Sequence, residues 1–206
     1  MHDGLTLQLP AAPAERLILL FHGVGARPDS MQPIGGALAD AYPAAVVVSV
    51  RAPHRSDVGF GWQWFSVRGI DEASRPARVA AAMPEFIATI RHWQHLHQLD
   101  AAATTLVGFS QGALMALEAT QVAAGLATRI AAIGGRFARP PERAPDQGII
   151  HVLHGEEDPV MPCARGVAAC EQLQLLGAQV TLDLFPGLGH EIDGRVIARL
   201  QERLQA

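Results

Sequence analysis

The chain has 206 residues, 49% hydrophobic and 17% charged, with a formal net charge of −4 and its basic residues scattered singly. That suffices for one well-filled core and is too short for two comfortable domains, so a single domain over residues 1–206 is expected. A mildly acidic chain without basic runs offers no footing to nucleic acid or to an anionic lipid surface.

The opening MHDGLTLQLP lacks a basic segment followed by an apolar one, and no apolar stretch reaches the roughly eighteen residues that cross a bilayer. A soluble, cytoplasmic protein without a membrane span is the expectation. Residues 5–10 (LTLQLP) alternate in polarity until Pro10 stops them, which predicts a short edge strand.

Six apolar runs then follow at residues 16–21, 44–50, 104–109, 129–135, 148–155 and 180–185, each short enough for a strand buried on both faces. Helical patterns lie between or after them at about 32–41, 75–98, 111–124, 163–176 and 191–204. This alternation predicts an α/β fold, a mostly parallel sheet with helices on both faces. No linker or repeat interrupts it. Residues 138–148 (ARPPERAPDQG) read as a loop between two strands. Sites in such sheets lie beyond the carboxyl ends of the strands, so each candidate residue must follow one.

The stretch TLVGFSQGALMALEA, residues 105–119, places Ser110 at a strand-to-helix junction. A serine there can simply cap the helix. Gly108 and Gly112, however, complete G-x-S-x-G, in which the serine occupies a sharp turn and the flanking chain passes too close for a Cβ. A cap needs neither glycine.

A serine hydroxyl attacks only when a base takes its proton, and that base needs a carboxylate to fix its tautomer. In this architecture the chain order is Ser, acid, His. Of nine histidines, His190 in FPGLGHEID is the one that follows both Ser110 and the acidic loop after the next strand. That loop, LHGEEDPVMP (153–162), offers Glu156, Glu157 and Asp158. Asp158 is the candidate acid, because Pro159 disfavours a helical backbone there and Val160 and Met161 suggest that this end packs inward. The glutamates read as solvated charges. Asp183, inside a strand, is the reserve and reads as structural or solvent-facing.

Acyl transfer also needs donors for the oxyanion. The N–H of Gln111, just after the serine, is one candidate. The other is the N–H of Val24 in the His-Gly-x-Gly loop at 22–25, directly after an early strand. In GFGWQWFS (59–66), Trp64 and Phe65 either plug the core or wall an acyl pocket as substrate-binding residues. His92, His95 and His97 read as a polar helix face rather than ligands, and no metal and no cofactor is expected. Cys163 and Cys170 read as free thiols.

With FHGVG, RAP, WFS, GFSQGA, HGEEDPVMP and GLGH all in place, the chain resembles the carboxylesterase, phospholipase and acyl-protein thioesterase family of α/β-hydrolases, and small bacterial serine esterases within it. The resemblance spans residues 17–204 and implies an α/β-hydrolase fold with Ser110 as nucleophile, His190 as base and Asp158 as its orienter; the short segments between the expected strands leave no room for a separate lid domain. Serine 66 stands where family thioesterases typically carry Asp, and Ala113 where they carry a second glycine. The expected activity is hydrolysis of short to medium acyl carboxylic esters, small molecules, through an acyl-enzyme. A thioesterase or lysophospholipase using the same triad, and a binding module on a hydrolase fold, are the alternatives; oligomeric state is not legible.

Overall fold

A computed structural model describes residues 3–146 and 148–205. In chain order the elements are β1 (Gly4–Gln8), β2 (Arg16–Phe21), a short 3-10 turn (Pro28–Met31), α1 (Gln32–Ala41), β3 (Ala45–Val50), β4 (His54–Arg55), β5 (Trp62–Gln63), α2 (Arg75–His97), β6 (Thr104–Phe109), α3 (Gln111–Val122), β7 (Arg129–Ile133), β8 (Ile149–Gly155), α4 (Cys163–Leu175), β9 (Gln179–Phe185) and α5 (Gly194–Gln205).

Seven strands form one sheet in the order β1-β3-β2-β6-β7-β8-β9. β1 runs antiparallel to β3 at one edge, and every other neighbouring pair is parallel. β4 and β5 make a separate small hairpin.

Strand alternation divides the core in two. On β2, Leu17, Leu19 and Phe21 face one layer while Ile18 and Leu20 face the other. The first layer is filled by Val79, Phe86 and Ile90 of α2, Leu114 and Met115 of α3, and Leu173 of α4. The second takes Ile34 and Leu38 of α1 with Val196, Leu200 and Leu204 of α5. Two helices thus cover one face and three the other, so the interior strands need apolar side chains in both directions. That is why they read as unbroken apolar runs.

Several boundaries differ from the sequence pattern for identifiable reasons. α5 begins at Gly194 rather than 191, because the Asp193 carboxylate accepts the N–H groups of Arg195 and Val196 at 2.9 and 3.1 Å and caps the helix there. β7 ends at Ile133, where Gly134 turns the chain with φ of +55°. The β4/β5 hairpin has two residues per strand, too few to leave an alternating signature. On α2, His92 and His95 are exposed, but His97 is half-buried and stacks on Trp93 with the rings 7° from parallel. Asp183 is held in an ion pair by Arg203 at 2.8 Å. Cys163 and Cys170 are both free, and residue 147 of the loop at 138–148 lies outside the described residues.

Candidate active site

Ser110 stands between the end of β6 and the start of α3 with φ of +54° and ψ of −115°, and its side chain makes no capping bond to the helix. A non-glycine residue in that region costs about 1–3 kcal/mol and persists only where the surroundings enforce it. Here the enforcement is visible. A Cβ on Gly108 would fall 2.5 Å from the Ala113 nitrogen, and one on Gly112 would collide with the Phe21 carbonyl. The two glycines let α3 leave β6 at a tight angle while resting against β2. The Ser110 N–H is fixed to the Ile133 carbonyl at 3.0 Å.

His190 lies in the loop between β9 and α5, and Asp158 in the loop between β8 and α4. The structure brings both to Ser110. His190 Nε2 is 2.8 Å from Ser110 Oγ, and His190 Nδ1 is 2.6 Å from Asp158 Oδ2. An ionised carboxylate only accepts, so Nδ1 carries the proton and Nε2 is left to receive the serine hydroxyl. Burial pushes the Asp158 carboxyl up, but the bonds from His190 and from the Met161 and Val160 N–H groups outweigh it and hold it below its usual range. Those two N–H groups reach Oδ1 at 2.7 and 2.8 Å. The buried group in this loop is therefore Asp158 itself. Val160, expected to pack inward, is 61% exposed, and Glu156 and Glu157 are solvated.

Two buried histidines brace the site. His154, at the end of β8, donates from Nε2 to the Met161 carbonyl at 2.6 Å, and the same nitrogen is 3.5 Å from Asp158 Oδ2. His22 donates from Nδ1 to the Gly23 carbonyl at 2.8 Å and accepts the Ala52 N–H on Nε2 at 3.3 Å. Burial lowers its pKa, consistent with a neutral ring bracing the 22–25 loop. Neither role leaves a spacing signal in the sequence.

The backbone N–H groups of Val24 and Gln111 make no hydrogen bond among the described residues, and both residues border the cavity that opens on Ser110. Gln111 has a second part that sequence reasoning misses. Its buried side chain accepts the Trp64 N–H on Oε1 at 2.8 Å and donates from Nε2 to the Phe65 carbonyl at 2.9 Å. The turn carrying Ser110 is thereby tied to the segment after β5.

The cavity has a volume of about 400 Å³, and its apolar lining includes Phe65, Val67, Ile70 and Leu114. Trp64 is placed elsewhere. It is 2% exposed and packs against Phe21 and Phe86 in the core, with ring centroids 6.2 and 4.8 Å away. Phe65 is also buried, at 7% exposure, and packs in the same core layer, but unlike Trp64 it lines the cavity. Among the described residues, no cluster of three or more His, Cys, Asp or Glu side chains is placed to hold a metal. No described helix is long and apolar enough to cross a membrane.

A family model described as phospholipase/carboxylesterase matches residues 2–206, and the chain belongs to that family of α/β-hydrolases. It is a hydrolase of the carboxylesterase type. It is 50% identical over 194 residues to Esterase YpfH of Escherichia coli strain K12, covering 94% of this chain and 84% of that protein. It is 38% identical over 99 residues to Acyl-protein thioesterase 1 of Gibberella zeae, 41% of this chain and 40% of the fungal one. The crystal structure of esterase PE8 superposes with a TM-score of 0.91 at 27% identity, covering 99% of this chain and 98% of that one.

Proposed function

We propose that the chain hydrolyses short to medium acyl carboxylic esters through an acyl-enzyme, with Ser110 as nucleophile, His190 as base and then acid, and Asp158 as its orienter. The observation that carries this reading is the unbroken relay of hydrogen bonds from Asp158 through His190 to Ser110, at 2.6 and 2.8 Å. Ser110 Oγ attacks the ester carbonyl carbon as His190 Nε2 takes its proton. The resulting oxyanion is met by the Val24 and Gln111 N–H groups, and the positive end of α3 favours the same charge. Collapse breaks the C–O bond to the alcohol, which leaves with the proton from His190. Water, deprotonated by His190, then cleaves the acyl-serine and restores the site.

Phe65, with Val67, Ile70 and Leu114, supports an acyl wall. Each methylene buried there contributes about 0.8 kcal/mol until the wall ends, after which longer chains add little. A single hydrolase domain without a separate lid fits the short connections between strands, the 52–74 segment forming a partial wall. Thioesters are the second reading, favoured by the likeness to the fungal thioesterase.

The test is kinetic. Ser110→Ala and His190→Ala should each lower kcat by at least about 10⁴-fold, and the double variant should be no worse than either, because the two act as one unit. Near wild-type turnover in Ser110→Ala contradicts the reading. A panel of matched esters, thioesters and lysophospholipids ranks the substrate classes.

A further inference from the structure

The cavity that opens on Ser110 is also lined by Arg75, Arg136 and Arg165. They come from three separate places: the first turn of α2, the segment after β7 and the first turn of α4. All three converge on one carboxylate, Glu72. Arg136 Nη2 is 2.6 Å from it, Arg75 Nη2 3.5 Å and Arg165 Nη2 3.7 Å. Among the described residues, no other carboxylate lies within ion-pair distance of any of them. Three positive charges thus face one negative charge beside the candidate nucleophile.

The arrangement is built rather than incidental to the surface. Arg136 is only 5% exposed, and among the described residues its Nη2 bond to Glu72 is its sole side-chain hydrogen bond. The buried Nε atoms of Arg136 and Arg75 have no hydrogen-bond partner among the described residues. Buried charge is ordinarily matched by charge and by hydrogen bonds, and here both are in deficit. Arg75 responds accordingly: burial first, and then the neighbouring Arg136 charge, lower its pKa from the ordinary arginine value. Guanidinium groups stay protonated across the accessible pH range, so the cluster cannot relieve the deficit by losing protons and is suited to an anion.

We propose that Arg75, Arg136 and Arg165 form an anion subsite of the active-site cavity, and that the ester cleaved at Ser110 carries a carboxylate or phosphate separated from the ester group by a short apolar segment. The proposal rests on the Ser110 reading above and deepens it to a substrate class. Planar guanidinium groups match the paired oxygens of both anions, and the apolar stretch of wall accommodates the segment between anion and ester.

Two pairs of esters locate the anion. The p-nitrophenyl ester of glutarate with a free distal carboxylate is compared with the same ester methylated at that carboxylate, which tests the acyl side. 2-Phosphoethyl butyrate is compared with ethyl butyrate, which tests the alcohol side. In one pair the anionic member should be favoured in kcat/KM by about tenfold or more, with the preference shrinking as salt is raised. Arg136→Gln should reduce that ratio to near unity, and Arg165→Gln, at an exposed position that leaves the core intact, should reduce it severalfold. Binding to Ser110→Ala, followed by calorimetry with monomethyl and dimethyl glutarate and with 2-phosphoethyl butyrate and ethyl butyrate, separates this proposal from the reading it rests on. An anion subsite holds the charged member of a pair more tightly whether or not Ser110 is the nucleophile. Equal rates within both pairs, or equal affinities of charged and neutral compounds for Ser110→Ala, overturn the proposal.

Discussion

Gln111 Oε1 accepts the backbone N–H of Trp64 at 2.8 Å, 47 positions away in the chain. With the second bond to the Phe65 carbonyl, one side chain joins the turn that bears Ser110 to the segment that presents Phe65 to the cavity. The backbone N–H of Gln111 is a separate group and survives truncation of the side chain.

Gln111→Ala should therefore destabilise the fold by about 2–4 kcal/mol, since two buried backbone groups lose their partners. The effect on hydrolysis should fall mainly on KM, with kcat reduced less than about tenfold, because the oxyanion donor is retained. Urea unfolding and steady-state kinetics on the same variant check this. A collapse of kcat with stability unchanged would assign Gln111 a chemical role instead of a positioning one.

Asp158→Asn keeps the shape and changes the proton. An amide presented to His190 Nδ1 donates where the carboxylate accepted, which leaves Nε2 protonated and unable to receive the serine hydroxyl. The expected loss in kcat is on the order of 10³–10⁴-fold. Activity within tenfold of wild type would mean that the 2.6 Å contact is structural. Because the Asp158 carboxyl lies below its usual range, it remains ionised throughout mildly acid conditions, and kcat/KM should rise with pH along a single limb belonging to histidine. A profile flat from about pH 5 to 9 contradicts a histidine base.

The elements that set this machinery in place were legible to different degrees. Ser110, Asp158 and His190 are found from the sequence because each follows a strand and their chain order is constrained, and the collisions awaiting a Cβ at Gly108 and Gly112 are the reason both glycines are there. The parallel sheet is legible because two-sided burial leaves unbroken apolar runs. Trp64 and Phe65 were not separable, since neighbouring aromatics in a short irregular segment carry no period to say which faces the core. The side-chain bonds of Gln111 and His154, and the convergence of Arg75, Arg136 and Arg165, depend on long-range contacts between single residues. Nothing local in the chain encodes them.

His151 of β8 links stability to pH. Burial first, and the nearby Arg203 charge second, lower its pKa from the ordinary 6.5 to about 4. Between those values the unfolded chain holds a proton that the folded one refuses, so protons favour unfolding there. Stability should be full above about pH 6.5 and should fall as the pH drops toward 4. Melting temperatures measured across that window should decline, and less steeply in His151→Gln. An identical slope in the variant would show that His151 does not carry this pH dependence.

Cys170 is buried, and burial together with Glu171 pushes its thiol up to about 12, whereas Cys163 is half-buried. A thiol reagent near pH 8 should modify Cys163 in the native protein and reach Cys170 only on unfolding. Two equally fast reactions would show that α4 opens readily.

Activation of Ser110 by His190 is read most directly by active-site labelling with a fluorophosphonate, which bonds covalently to a serine oxygen that an adjacent base has activated. One label per chain is expected, mapped by peptide mass spectrometry to Ser110. Labelling should fall sharply in His190→Ala and vanish in Ser110→Ala. No labelling of the wild-type protein at high probe concentration, or a label on a different serine, would contradict it.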